Sequence, residues 1–137
     1  MEPREIYISE FDLARLLKLF DAEIRKKDRV HLASLKNELD RAHVMDPAAI
    51  PDDIVTMNSR VRLEDLVAGG EWKDFTLVFP PDANIGVNRI SILAPVGTAI
   101  LGRRVGDTVE WKVPAGRRRL QIKELLFQPE AAGRHYL

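Results

Sequence analysis

The feature that most constrains this chain is a change of hydrophobic period near Pro47-Ala48-Ala49-Ile50-Pro51. Before it, apolar residues recur every three or four positions; after it, they alternate. A period near 3.6 builds helices that bury one stripe, and a period of two builds strands that bury one face. The chain is therefore expected to fold as a helical segment followed by a mainly β segment.

In the first segment, Ser9-Glu10-Phe11-Asp12 has the S-x-x-D form of a helix start, with Ser9 as N-cap. Leu13, Leu17, Phe20 and Ile24 follow in steps of four, three and four, and Leu16 widens the stripe. A second helix is expected from about Asp28 or Arg29, with Asp28 as its cap and a stripe of Leu32, Leu35, Leu39 and Ala42. Two stripes joined by a short connection predict an antiparallel helical hairpin, each helix about 22 Å long. Helices this short are marginal alone, so the hairpin must pack on the remainder.

In the second segment, Val55, Met57, Val61 and Leu63 share one parity and read as a first strand. Phe75, Leu77 and Phe79 mark another, Ile90 and Ile92 a third, Val109, Trp111 and Val113 a fourth. Leu120 and Ile122 open a last strand towards Phe127. A short helix interrupts them, with Pro95 near its first position and Gly102 as its stop. The fold class is α+β, and the expected division is a hairpin over 1–46, a linker over 47–52 and a strand domain over 53–137.

Composition excludes several functions. Twenty-one basic residues balance twenty-one acidic ones, so bulk attraction to nucleic acid or anionic membrane is not expected. No cysteine is present, which removes disulfides, thiol catalysis and cysteine-based zinc sites. No apolar run approaches the length of a membrane span, and no signal-peptide pattern follows Met1, so a cytoplasmic protein is expected. His31, His43 and His135 lack ligand spacing, Ser59 and Ser91 lack a recognisable base, and neither a phosphate-binding nor a dinucleotide-binding glycine loop occurs. No catalytic residue, metal or cofactor is expected.

Several motifs, in one order and spacing, resemble those of a known family. They are Val55-Thr56-Met57-Asn58-Ser59-Arg60-Val61, then Ile90-Ser91-Ile92-Leu93-Ala94-Pro95-Val96-Gly97-Thr98-Ala99-Ile100-Leu101-Gly102, then Arg103-Arg104-Val105-Gly106-Asp107-Thr108-Val109 and Pro114-Ala115-Gly116. Together they resemble the carboxy-terminal domain of the Gre transcript-cleavage factors. The short hairpin, Leu39-Asp40-Arg41-Ala42 and the ending Gln128-Pro129-Glu130-Ala131-Ala132-Gly133 resemble the Rnk branch. The resemblance implies an FKBP-like antiparallel sheet with one helix, docked at the rim of the RNA polymerase secondary channel, with a coiled coil pointing inward. It also implies competition with Gre factors. Rnk proteins are further described as regulators of nucleoside diphosphate kinase.

Cleavage-competent relatives have a longer coiled coil with acidic residues at its tip. The tip here reads Arg25-Lys26-Lys27-Asp28-Arg29. One carboxylate among four cations is a poor site for a hard divalent ion, so no transcript cleavage is expected. Lys26, Lys27 and Arg29 suit either acidic groups within a channel or a solvated helix turn, and Asp28 suits a helix cap. By resemblance, Leu93, Ala94, Pro95, Val96 and Gly97 are the polymerase-docking candidates; the plain alternative is that Pro95 starts a helix, Val96 fills the core and Leu93 serves either purpose. Arg103-Arg104 and Arg117-Arg118-Arg119 read as solvated strand ends, since no aromatic residues interleave with them. Direct sequence-specific nucleic-acid binding is not expected. The competing functions are regulation of another protein, such as the kinase, and prolyl isomerisation, for which the fold alone supplies no pocket.

Overall fold

The structure is a computed structural model that describes residues 6–23, 30–67, 71–113 and 116–134. Strand β1 (Tyr7–Ser9) leads directly into helix α1 (Glu10–Glu23). Ser9 caps it as expected, its Oγ accepting from the Asp12 N–H at 3.1 Å. Helix α2 (Val30–Leu39) follows, and strand β2 (His43–Met45) runs parallel to β1, pairing Ile8 with Val44. Neither three-residue strand is legible as a periodicity. They tie together the two ends of the helical segment. Residues 24–29, and with them the Lys26-Lys27-Asp28-Arg29 tip, lie outside the described residues.

The buried stripe of α1 is turned relative to the expected one. Asp12, Leu16 and Phe20 are its fully buried members, while Leu13 and Leu17 are only half-buried. Leu16 is central, not peripheral, because the buried cap at Ser9 and the buried Asp12 fix the rotation of the helix. On α2, Leu35 and Leu39 are buried and Ala42 packs beneath its end, as the spacing predicts.

The second segment carries five strands: β3 (Arg60–Asp65), β4 (Glu71–Val78), β5 (Arg89–Ser91), β6 (Thr108–Val113) and β7 (Gly116–Phe127). Their order is β5-β4-β3-β7-β6. The sheet is mixed, not the all-antiparallel one expected: β5 runs parallel to β4, pairing Leu77 with Ile90. Parallel neighbours need a crossover. Residues 79–88 supply it through two 3₁₀ turns, the second capped by Asn84 and closed by Asn88 at φ 57°. The first strand also starts later than its alternation suggests. Val55 and Met57 are buried, yet residues 55–59 form a tight turn and β3 begins only at Arg60.

Helix α3 (Pro95–Ile100) lies against β5 and β6 and touches α2. One buried cluster unites Ile6, Leu16, Phe20, Leu35 and Leu39 with Met57, Leu77, Ile92, Ile100 and Ile122. At Gly102, φ is +75° and a Cβ would lie 2.4 Å from the Ile6 Cγ2. That glycine both stops α3 and lets the chain start pack against it. Among the described residues no helix is long and apolar enough to cross a membrane.

Candidate protein-docking surface

The turn between β5 and α3 is built by Ser91. Its Oγ accepts from the Leu93 N–H at 3.0 Å, and its carbonyl oxygen accepts from the Ala94 N–H at 3.0 Å. Ala94 is extended at φ −75° and ψ 149°, and Pro95 takes the first helical position, where a missing N–H costs nothing. The Thr98 hydroxyl donates to the Pro95 carbonyl at 2.9 Å, closing the first turn. Gly97 is buried, and a Cβ there would sit 2.4 Å from the Ser91 carbonyl oxygen. The loop therefore has a fixed shape. Pro95 is its exposed member; Leu93, Ala94 and Val96 are half-buried, and both Leu93 and Val96 also pack on the core.

The basic clusters face acidic partners. Arg104 meets both oxygens of Asp53, at 3.1 and 3.2 Å, and its guanidinium lies 4.9 Å from the Tyr7 ring centre. Arg117 and Arg119 reach Glu110 at 2.6 and 3.4 Å, and Arg118 pairs with Asp65. His43 is exposed and stacks on Tyr7, with ring centres 4.7 Å apart. Among the described residues, no group of three or more His, Cys, Asp or Glu side chains could hold a metal ion.

One constellation escaped the sequence reading. Asp12 is 2% exposed and reaches across to the second segment, its Oδ2 accepting from the Met57 N–H at 3.2 Å. Arg15 donates to Oδ1 at 2.7 Å while its guanidinium lies 4.1 Å from the Phe11 ring centre and 4.5 Å from that of Phe79. Below them, Ser59 Oγ accepts from the Thr56 N–H at 2.9 Å, and the Thr56 hydroxyl donates to Glu130 at 2.7 Å. Gln128 donates to the carbonyls of Pro51 and Ile54 at 2.8 and 2.7 Å. The turn 55–59, the start of α1 and the tail after β7 are thus joined by buried polar groups. Burial pushes the Asp12 carboxyl up to about 6; the Arg15 hydrogen bond opposes this, and Glu130 adds repulsion. The signals were present as Thr56-x-x-Ser59 and Gln128-x-Glu130, but nothing local says that they meet Asp12.

Residues 50–126 match the family described as transcription elongation factor GreA/GreB, carboxy-terminal part, and residues 4–45 match the Rnk amino terminus. The chain belongs to the GreA/GreB family, in its Rnk branch. It is similar to a regulator of nucleoside diphosphate kinase from Escherichia coli K12, with 46% identity over 105 residues that cover 76% of each chain. It is also similar to the transcription elongation factor GreA of Chlorobium phaeobacteroides, at 34% identity over 120 residues, 88% of this chain and 71% of that one. A solved GreA/GreB elongation factor from Nitrosomonas europaea superposes with a TM-score of 0.76 at 41% identity, covering 89% of this chain and 99% of the other. Its architecture is that of the family: amino-terminal helices followed by a mixed carboxy-terminal sheet. The relatives of 46% identity are named regulators, and this Rnk-type chain is a regulatory protein, not an enzyme.

Proposed function

We propose that this chain regulates by contact with a partner protein and carries out no bond chemistry of its own. The observation that carries this reading is the likeness to proteins named regulator of nucleoside diphosphate kinase, which extends over 76% of the chain. That name puts the kinase forward as the regulated partner.

A second partner, RNA polymerase, is supported by the GreA relatives and by the fixed turn before α3. In this finer reading, Leu93, Ala94, Pro95, Val96 and Gly97 form the docking loop at the secondary-channel rim. Pro95 is the exposed contact, Leu93 and Val96 present apolar edges, and Gly97 shapes the turn. Lys26, Lys27, Asp28 and Arg29 then form the tip directed at the channel. The chain obstructs entry and competes with Gre factors.

Two functional assays test both readings. On a stalled elongation complex, the polymerase reading expects slower GreA-stimulated RNA cleavage and no cleavage by the chain alone; Pro95→Glu abolishes the inhibition. The kinase reading expects a change in purified nucleoside diphosphate kinase turnover on adding the chain. Transcript shortening by the chain alone would refute the non-catalytic reading.

A further inference from the structure

The outer face of the sheet is neutralised row by row, with one exception. Arg62 is held by Asp74 at 2.9 and 3.2 Å and by Glu124 at 3.4 Å. Lys123 meets Glu64 at 2.9 Å, and Glu110 serves Arg117 and Arg119. The exception is the row Arg60–Thr76–Arg89, which crosses β3, β4 and β5 in register. Arg60 lies 3.9 Å from Asp74, at the limit of an ion pair, and that carboxylate is already held by Arg62. Among the described residues, no carboxylate pairs with Arg89. Both arginines are exposed.

Beside this row stand large apolar side chains in water. Trp72, on the same face of β4, is 57% exposed, and Val87, on the crossover, is 60% exposed. Arg60, Trp72, Lys73, Val87 and Arg89 border one shallow depression of about 520 Å³, with Asp74, already held by Arg62, as the one carboxylate in its lining. An exposed tryptophan beside Arg89, which no described carboxylate neutralises, and Arg60, which Asp74 reaches only at 3.9 Å, has the composition of a protein-contact centre. Its charge fixes the sign of the partner. Arg60 and Arg89 sit two strand spacings apart, about 10 Å between backbones. Two carboxylates one helical turn apart can each reach a guanidinium, and an apolar side chain between them covers Trp72 and Val87.

We propose that this corner of the sheet is a second docking surface, and that its occupant is an acidic protein segment bearing an apolar side chain. It rests on the reading of the chain as a protein-binding regulator. The test uses neither candidate partner, so its failure is separable from a failure of that reading. The probe is a synthetic glutamate-rich peptide carrying one leucine, titrated into the isotope-labelled chain and followed by NMR. Saturable shifts are expected at the Trp72 indole and at the amides of Arg60, Thr76 and Arg89. The double variant R60E/R89E should weaken binding by at least about tenfold, whereas R117E, on the same face but on β7 beside the opposite edge strand β6, should leave it unchanged. The proposal is overturned if no shift saturates or if shifts spread over the whole surface. It is equally overturned if R60E/R89E binds as well as the parent, or if a lysine-for-glutamate peptide or ATP gives the same pattern.

Discussion

Replacing Asp12 by asparagine should change the pH dependence of stability in a defined direction. Asp12 is 2% exposed, and burial raises its carboxyl from 3.8 to about 6 against the pull of Arg15 and the Met57 N–H. Between those values the folded chain holds a proton that the unfolded chain has released. Stability from this group is therefore complete below 3.8 and is lost as pH rises through about 6. The full displacement corresponds to about 3 kcal/mol at 1.36 kcal/mol per pH unit. About 2 kcal/mol of it falls between about pH 4.5 and pH 7.5. The amide introduced by D12N is neutral throughout; it keeps one oxygen, for either Met57 or Arg15, and turns its NH2 towards the other donor, a cost that does not vary with pH. This variant should thus gain about 2 kcal/mol relative to the parent over that interval. Urea unfolding of both chains, followed by circular dichroism at several pH values, measures the difference, and carboxylates that do not interact with Asp12 cancel. A flat difference would refute the burial argument. The opposite slope would show that Arg15 and Met57 stabilise the anion more than burial opposes it.

Other substitutions read other parts of the fold. Thr56→Val removes the hydroxyl donated to buried Glu130 at 2.7 Å and should cost about 2 kcal/mol in urea unfolding, because a buried acceptor is left unsatisfied. Gly97→Ala forces a Cβ to 2.4 Å from the Ser91 carbonyl oxygen, so the docking loop must shift; a loss of about 1–3 kcal/mol is expected, with amide shifts centred on residues 91–98. Phe20→Ala opens a cavity in the cluster shared by both segments, and a loss of about 3–5 kcal/mol should appear as one cooperative transition.

What the sequence made legible followed from local rules. Ser9 caps α1, Pro95 opens α3 and Gly102 stops it, because each depends only on backbone groups a few residues away. The strands around Leu63, Leu77, Ile90 and Ile122 were readable because each buries one face. The parallel pairing of β4 and β5 was not, since it depends on the path of residues 79–88 and on no periodicity. The alternation through Val55 and Met57 misled for a related reason: both side chains are buried, but the turn at Asn58, with φ 65°, buries them without a ladder. In the candidate docking loop, the order of residues pointed to the turn. Which of them face water depended on packing: Leu93 and Val96 are shared between surface and core. The Asp12–Thr56–Glu130 constellation joins positions far apart in sequence, and such a meeting has no local signature.

Direct binding to the two candidate partners is the measurement that matters most. The chain, immobilised, should be exposed in turn to core RNA polymerase, with GreA as competitor, and to nucleoside diphosphate kinase. Saturable binding to at least one of them is expected, with GreA displacing the chain if the polymerase is the partner. Absence of binding to both at about 10 µM, a concentration at which contacts of roughly 7 kcal/mol are already visible, would contradict regulation by direct contact with either protein.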